Sequence, residues 1–294
     1  MPERVTPRSL IRETARRFDQ AGIPDPLVDA AALLGWLTGR APLSLRLDSD
    51  TVLPQEVLVR YEALCRRRLQ REPLQQLIGS QPFCGRSFLV TPEVLIPRPE
   101  TALLAELAIA RLCETPGEAL DLCCGSGCLA VTLALDSDAT SVSACDLSAG
   151  ALAVARENAR LLGAEVSFFQ GDLLSWAAGR SFRVIVSNPP YIPTAVCDTL
   201  QPEVLWEPRM ALDGGADGID FYRRIAEDAG EHLLPGGWLL LETGADQTEA
   251  VCGLLRRQGF ERLSVYPDEA GLPRAVEAQW RTHVGAVSAD HGAL

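Results

Sequence analysis

From Glu118 onward the chain repeatedly changes its hydrophobic rhythm, and that alternation restricts the available folds more than any other feature. "EALDLCC", "SVSACD", "EVSFFQ" and "FRVIVS" are short apolar runs, each read as a strand, whereas the intervening "GCLAVTLAL" and "SAGALAVARENARLLG" place apolar residues at helical spacing. Strands alternating with helices imply a parallel sheet covered by helices on both faces. Further on, Pro235-Gly236-Gly237 reads as a turn into a strand over Trp238–Glu242, and "ERLSVYP" with "PRAVEAQW" as a closing antiparallel pair. There is no internal repeat.

The N-terminal part has a different character. "SLIRETARRFDQAGI" and the stretch from Pro26 to Leu37 carry helical spacing, and "PQEVLVRYEALCRRRLQREPL" reads as a further helix opened by Pro54 and stopped by Pro73. Residues 1–75 hold 12 arginines against 10 acids, the rest 15 against 29, and this charge asymmetry suggests two modules. The expected organisation is a helical domain over 1–75, a short β-hairpin linker over 76–92, an α/β domain over 93–284 and a loose tail over 285–294.

Composition narrows the function. A chain of 294 residues that is 47% hydrophobic and 22% charged buries a sizeable core. Its net charge of −12 argues against duplex nucleic acid as the main partner, which usually demands a basic footprint. The basic cluster "RRRLQR", Arg66 to Arg71, reads as a solvated helix face, available at most to an acidic protein partner. Apolar stretches are too short to cross a membrane, no signal peptide is evident, and the nine cysteines are an odd number, so a reducing cytoplasm is expected. Cys123, Cys124 and Cys128 lack the paired spacing and neighbouring histidines of a zinc site, and no metal is expected.

Asp121-Leu122-Cys123-Cys124-Gly125-Ser126-Gly127-Cys128 falls where the first strand of the α/β region meets its first helix. Gly125 and Gly127 let the backbone approach a ligand, and the helix beyond offers free N–H groups. Asp146 ends the second strand, 19 residues beyond Gly127, a spacing suited to an acid that grips ribose hydroxyls. Gly125 to Ala130 fits the dinucleotide fingerprint, so a nicotinamide-dependent oxidoreductase is one reading. Asp121 within the strand end and Gly171-Asp172 after the third strand favour S-adenosylmethionine, with Asp172 placed to accept from the adenine amino group. The expected cofactor set is Asp121, Cys123, Cys124, Gly125, Ser126, Gly127, Asp146, Leu147, Asp172, Leu173 and Asn188.

The run Arg183 to Val186 reads as a buried strand that stops at Ser187 and delivers Asn188-Pro189-Pro190-Tyr191 to the same crevice. A carboxamide or a nucleobase amine is a poor nucleophile because its lone pair is delocalised. The side-chain oxygen of Asn188 and the carbonyl of Pro189 can each accept one of its hydrogens, aiming the nitrogen and disfavouring the planar form. Pro189 and Pro190 fix the backbone direction, and Tyr191 offers a flat face to a planar group. These four residues are the expected catalytic set, with Asn188, Pro189 and Tyr191 holding the substrate.

On these motifs the chain resembles the HemK-like protein-glutamine N5-methyltransferases, most closely the branch acting on peptide chain release factors. "REPLQQLIGSQPFCGRSFLVTPEVLIPRPET", "SNPPYI", "WEPRMALDGGADGIDFYRRI" and "LLPGGWLLLETGADQ" carry the resemblance in order along nearly the whole chain. It implies a seven-stranded Rossmann-like methyltransferase domain behind a small helical domain that helps dock the protein substrate. The implied substrate is the glutamine of the Gly-Gly-Gln loop of release factors, with S-adenosylmethionine converted to S-adenosylhomocysteine. Arg98 and Glu100 match a signature near the site, for which a structural ion pair is the competing role. Two departures stand out: the family usually has glycine where Cys123 stands, and some members carry tryptophan where this chain has Leu173. "DLCCGSGC" is similar to the sister branch that methylates a ribosomal protein, which however lacks the Arg-Pro-Glu-Thr run.

Two further readings compete. An N6-adenine nucleic-acid methyltransferase shares the Asn-Pro-Pro-aromatic logic but needs a positive channel. A non-catalytic module that kept a cofactor pocket is the other, and the intact Asn188 motif argues against it.

Overall fold

A computed structural model describes residues 5–281. In chain order the elements are α1 (Pro7–Gln20), α2 (Pro26–Thr38), α3 (Pro42–Leu47), α4 (Gln55–Leu69), α5 (Leu74–Ile78), β1 (Ser80–Phe83), β2 (Arg86–Leu89), α6 (Thr101–Glu114), β3 (Glu118–Leu122), α7 (Cys128–Asp136), β4 (Ser141–Asp146), α8 (Ala149–Leu162), β5 (Ser167–Gln170), β6 (Phe182–Ser187), α9 (Thr194–Cys197), α10 (Asp220–Asp228), β7 (Leu233–Glu242), α11 (Thr248–Arg257), β8 (Phe260–Pro267) and β9 (Pro273–Trp280). The chain divides into two compact units. The tail expected over 285–294 lies outside the described residues.

The first unit runs to Ser80 and is helical, with Ile11, Phe18, Leu33, Leu34, Tyr61 and Cys65 at its core. Each of its first three helices starts with proline, which is tolerated there because the first N–H has no helical partner. The unit also takes in residues 90–92 and 200–207, the latter an excursion from the larger domain of the sequence reading. Electrostatics accounts for the excursion. Arg68, 4% exposed, bonds Asp29 at 2.8 Å and Glu203 at 2.9 Å, and Arg71 grips both oxygens of Glu203. Arg66 and Arg67 lie on the solvated face expected of the cluster, paired with Glu62 and Glu72, whereas Arg68 and Arg71 are turned inward. Helix α4 also stops earlier than its proline suggested: Arg71 has a φ of 68°, and its guanidinium bonds the carbonyls of Ala21 and Gly22.

The second unit holds a seven-stranded sheet in the order β5-β4-β3-β6-β7-β9-β8. The pairs from β5 to β7 are parallel, and β9 runs antiparallel between β7 and β8. Alternate residues feed opposite layers. Ala119, Val184, Val186 and Leu240 pack with α6, α7 and α8, whereas Leu120, Leu122, Ile185, Leu239 and Leu241 pack with α10 and α11. β6 is therefore apolar on both faces, as a central parallel strand must be. Pro235-Gly236-Gly237 lies inside β7 rather than before it: the pairing steps from Phe182↔Leu233 to Val184↔Trp238, so a bulge absorbs the extra residues.

The chain leaves β3 toward β4 and β5 on one side and leaves β6 toward β7 on the other, so the strand order reverses between β3 and β6. That reversal leaves a crevice beyond the carboxyl ends of the two strands.

Candidate active site

Leu122 and Ser187 are paired in register at the ends of β3 and β6, and the Ser187 hydroxyl donates to the Leu122 carbonyl at 2.8 Å. The residues that follow, Cys123 and Asn188, therefore enter the crevice side by side. A cleft opens there, lined from Glu93 to Thr101 on one side and by the ends of β3, β4 and β6 on the other.

One wall is the loop between β3 and α7. Cys123 has a φ of 58°, Gly125 of 52° and Gly127 of 77°, so three residues of the loop occupy the left-handed region. Cysteine pays roughly 1–2 kcal/mol for a conformation glycine adopts freely. A methyl group on Gly125 would meet no protein atom within 4 Å, whereas one on Gly127 would lie 3.0 Å from the Ala155 side chain. Gly125 thus leaves room on the open side, and Gly127 lets α7 and α8 pack. Asp146 fixes the loop from β4, accepting from the Gly125 N–H and the Ser148 N–H, both at 2.9 Å.

Asp121 lies beneath the loop, 1% exposed, with one carboxylate oxygen accepting from the Ala130 N–H at 3.0 Å and the other without a partner. Burial, assisted by nearby Asp146, pushes its carboxyl up to about 8. An unpartnered buried carboxylate oxygen, a glycine opening and an acid at the end of β4 fit a ligand carrying positive charge and a ribose, as S-adenosylmethionine does.

Cys124, Ser126, Leu147, Asp172 and Leu173 also border the cleft, so of the residues expected to hold the cofactor all but Gly127 line it. Asp172 is half-exposed and paired with Arg224 at 2.7 Å. Leu173 has a φ of 52° and is buried, giving the cleft an apolar surface where an aromatic ring might have stood. Trp176 stands apart, stacked on Phe169 at 4.0 Å between ring centres.

Of the Asn188 motif, Asn188 and Pro190 border the cleft, as does Arg98, whereas Pro189, Tyr191 and Glu100 do not. Tyr191 packs against the apolar layer on the α10 and α11 side, and burial pushes its phenol up to about 12. Its carbonyl accepts from Gln247 at 2.8 Å. The motif is braced by Leu212–Gly218: Ile192 pairs with Asp213, and a methyl group on Gly214 would come within 2.7 Å of the Tyr191 Cα and 2.8 Å of the Pro190 carbonyl.

Two residues absent from the sequence reading complete the site. Thr101, at the start of α6, donates its hydroxyl to Glu242 Oε2 at 2.6 Å and accepts from Asn188 Nδ2 at 3.2 Å. Glu242 ends β7, 2% exposed, and burial raises its carboxyl to about 7. Their only trace in the sequence is that Thr101 closes "RPET" and Glu242 closes the strand "WLLLE".

Among the described residues, no group of three or more His, Cys, Asp or Glu is arranged to hold a metal ion, and no helix is long and apolar enough to cross a membrane.

A reversed-order seven-stranded sheet with a glycine loop and an acid at the crevice defines a methyltransferase of the Rossmann-like class, and comparison with known proteins agrees. Residues 100–214 match the methyltransferase small domain and residues 9–79 the PrmC N-terminal domain. A Pyrococcus furiosus methyltransferase structure superposes with a TM-score of 0.55 at 17% identity, covering 74% of this chain and 98% of that one. A Geobacter sulfurreducens protein named release factor glutamine methyltransferase is 42% identical over 94% of this chain and 97% of its own length. A Cereibacter sphaeroides protein of the same name is 45% identical over 92% and 96%. The chain belongs to the release factor glutamine methyltransferase family.

Proposed function

We propose that this enzyme methylates the side-chain nitrogen, N5, of the glutamine in the Gly-Gly-Gln motif of a peptide chain release factor. The observation that carries the reading is the orientation of Asn188: its amide nitrogen donates to Thr101 at 3.2 Å, so the nitrogen end is turned to Thr101 and Oδ1 is left to accept a hydrogen from a substrate amide. The names borne by relatives at 42% and 45% identity supply the substrate class.

S-adenosylmethionine supplies a methyl group activated by its sulfonium and leaves as S-adenosylhomocysteine. The chain's own residues do the positioning. Asp146 and Asp121 offer acceptors for ribose hydroxyls and positive charge, and the loop at Gly125 gives the ligand space. Asn188, which borders the cleft, holds one amide hydrogen at Oδ1. The second is assigned to the main chain between Asn188 and Pro190, where the Pro189 carbonyl would have to turn toward the substrate as it binds. The two acceptors turn the nitrogen lone pair out of conjugation as the bond to carbon forms. One of those hydrogens then leaves as a proton to water. Holding a nucleophile in line against a strong electrophile can carry most of the rate without a dedicated base.

The Arg66–Arg71 cluster is paired with Glu62, Glu72, Asp29 and Glu203, which offsets its positive charge and counts against a nucleic-acid substrate. Replacing Asn188 with Ala tests the reading. Turnover should fall by at least about 100-fold, in line with loss of a transition-state hydrogen-bond group, while cofactor affinity stays within several-fold. Near-normal turnover would refute it.

A further inference from the structure

We propose that Glu242, acting through Thr101 and directly on the same amide, is a positioning residue that decides which end of the Asn188 amide faces the substrate. The proposal deepens the reading of Asn188 given above and rests on it.

A carboxamide is almost symmetric in shape. Rotating Asn188 by half a turn about its last side-chain bond exchanges Oδ1 and Nδ2 with little change in volume, yet turns an acceptor into a donor. An acceptor is required to hold an amide N–H; a donor would repel it. Packing cannot make this choice, so a hydrogen-bond partner of fixed polarity must.

Thr101 alone lacks that polarity, because a hydroxyl can donate or accept. Glu242 supplies it. Above about pH 7, where Glu242 is ionised, its carboxylate only accepts, and it lies 2% exposed, 2.6 Å from the Thr101 hydroxyl. It draws the single hydroxyl hydrogen to itself, leaving Thr101 a lone pair that can only accept, which it does from Asn188 Nδ2. Oδ1 then faces the cleft. The three residues come from the end of β7, the start of α6 and the end of β6, and Thr101 is itself set by its N–H donating to the Arg98 carbonyl. Tyr222 holds the main chain of Glu242 by donating to its carbonyl at 2.7 Å.

The test uses Thr101→Val, Thr101→Ser, Glu242→Gln and the Val/Gln double variant of the full-length enzyme, with kcat, KM for a release factor and cofactor Kd measured for each. Thr101→Val keeps volume and removes the hydroxyl. It should lose about 10- to 100-fold in kcat, the scale expected when an oriented group in the transition state is lost, with cofactor Kd within about threefold. Thr101→Ser should recover most of that loss. Glu242→Gln, whose amide can donate to Thr101 and so reverse the chain, should lower kcat comparably. The double variant should lose at least as much as Thr101→Val but less than the product of the two single losses, because both residues act on the one Asn188 amide.

Equal losses in Val and Ser, independent multiplication of the Val and Gln losses, or losses confined to cofactor Kd would overturn the proposal. If Thr101→Val does not fold, Glu242→Gln decides: reduced kcat at unchanged cofactor Kd supports the assignment, and unchanged kcat overturns it. Asn188→Ala separates the two levels. Retained turnover there removes the reading of Asn188 and this proposal together, whereas lost turnover there with normal kcat in the Thr101 and Glu242 variants removes this proposal alone.

Discussion

Ser187 and Leu122 are joined across the β3–β6 pair by a 2.8 Å hydrogen bond from hydroxyl to carbonyl. In most half-buried strands the alternation of polar and apolar residues fixes the register. β6 lacks that guide, because Val184, Ile185 and Val186 are all fully buried. A polar side chain at the last position of the strand helps supply it. One pairing thereby sets the loop that begins at Cys123, proposed to hold the cofactor, beside Asn188, proposed to hold the substrate amide.

The two glycines at the site act differently, and alanine should separate them. Gly125→Ala places a side chain at a φ of 52° and into the open side of the loop, so cofactor affinity should fall about tenfold or more. Gly214→Ala drives a methyl group against the Tyr191 Cα and the Pro190 carbonyl, so kcat should fall about tenfold with cofactor affinity nearly unchanged. Calorimetry for binding and steady-state kinetics for turnover check both, and matching profiles would contradict the division of labour.

Glu203 is the anchor of the 200–207 excursion. Because Arg68 is 4% exposed, removing one of its carboxylate partners leaves a buried charge undercompensated, and Glu203→Ala should cost about 3 kcal/mol of stability, against less than about 1 for a surface pair. Urea unfolding, with the helical unit followed by a probe in α2 such as Trp36, should show the loss. A change below about 0.5 kcal/mol would mean that solvent already screens the pair.

The buried carboxyl of Asp121 predicts a pH dependence of apoprotein stability. Its folded value of about 8 lies above the ordinary aspartate value of 3.8, so the folded state holds a proton that the unfolded chain has released. The resulting stabilisation is fully present below about pH 4 and is lost as pH rises through about 8. Thermal melts from pH 5 to 9 should therefore fall more steeply for the wild type than for Asp121→Asn, which should also bind cofactor more weakly. Parallel curves would contradict the assignment.

Much of this site was legible because its chemistry sits in short motifs at strand ends. Asp121, Gly125, Asp146 and Asn188 each follow or end an apolar run, and α/β topology brings such ends together whatever lies between them. Thr101 and Glu242 were not legible: they stand 141 residues apart, and only the placement of α6 beside β7 makes them neighbours. The excursion anchored by Glu203 was hidden for the same reason, since Arg68 lies 135 residues earlier. Tyr191 was legible as a motif residue but not in its placement, which follows from the apolar layer on the α10 and α11 side. In the Arg66–Arg71 cluster, Arg68 and Arg71 likewise depend on the distant Asp29 and Glu203, whereas the pairs of Arg66 with Glu62 and Arg67 with Glu72 are local.

The central claim is methyl transfer to the Gly-Gly-Gln glutamine of a release factor. Its most direct test is intact and peptide mass spectrometry of a recombinant release factor incubated with this enzyme and S-adenosylmethionine, beside a factor whose motif glutamine is replaced by alanine. One added methyl group mapped to that glutamine, and none on the control, is the predicted result. With cofactor binding confirmed separately, an unmodified factor or a methyl group on another residue would contradict it.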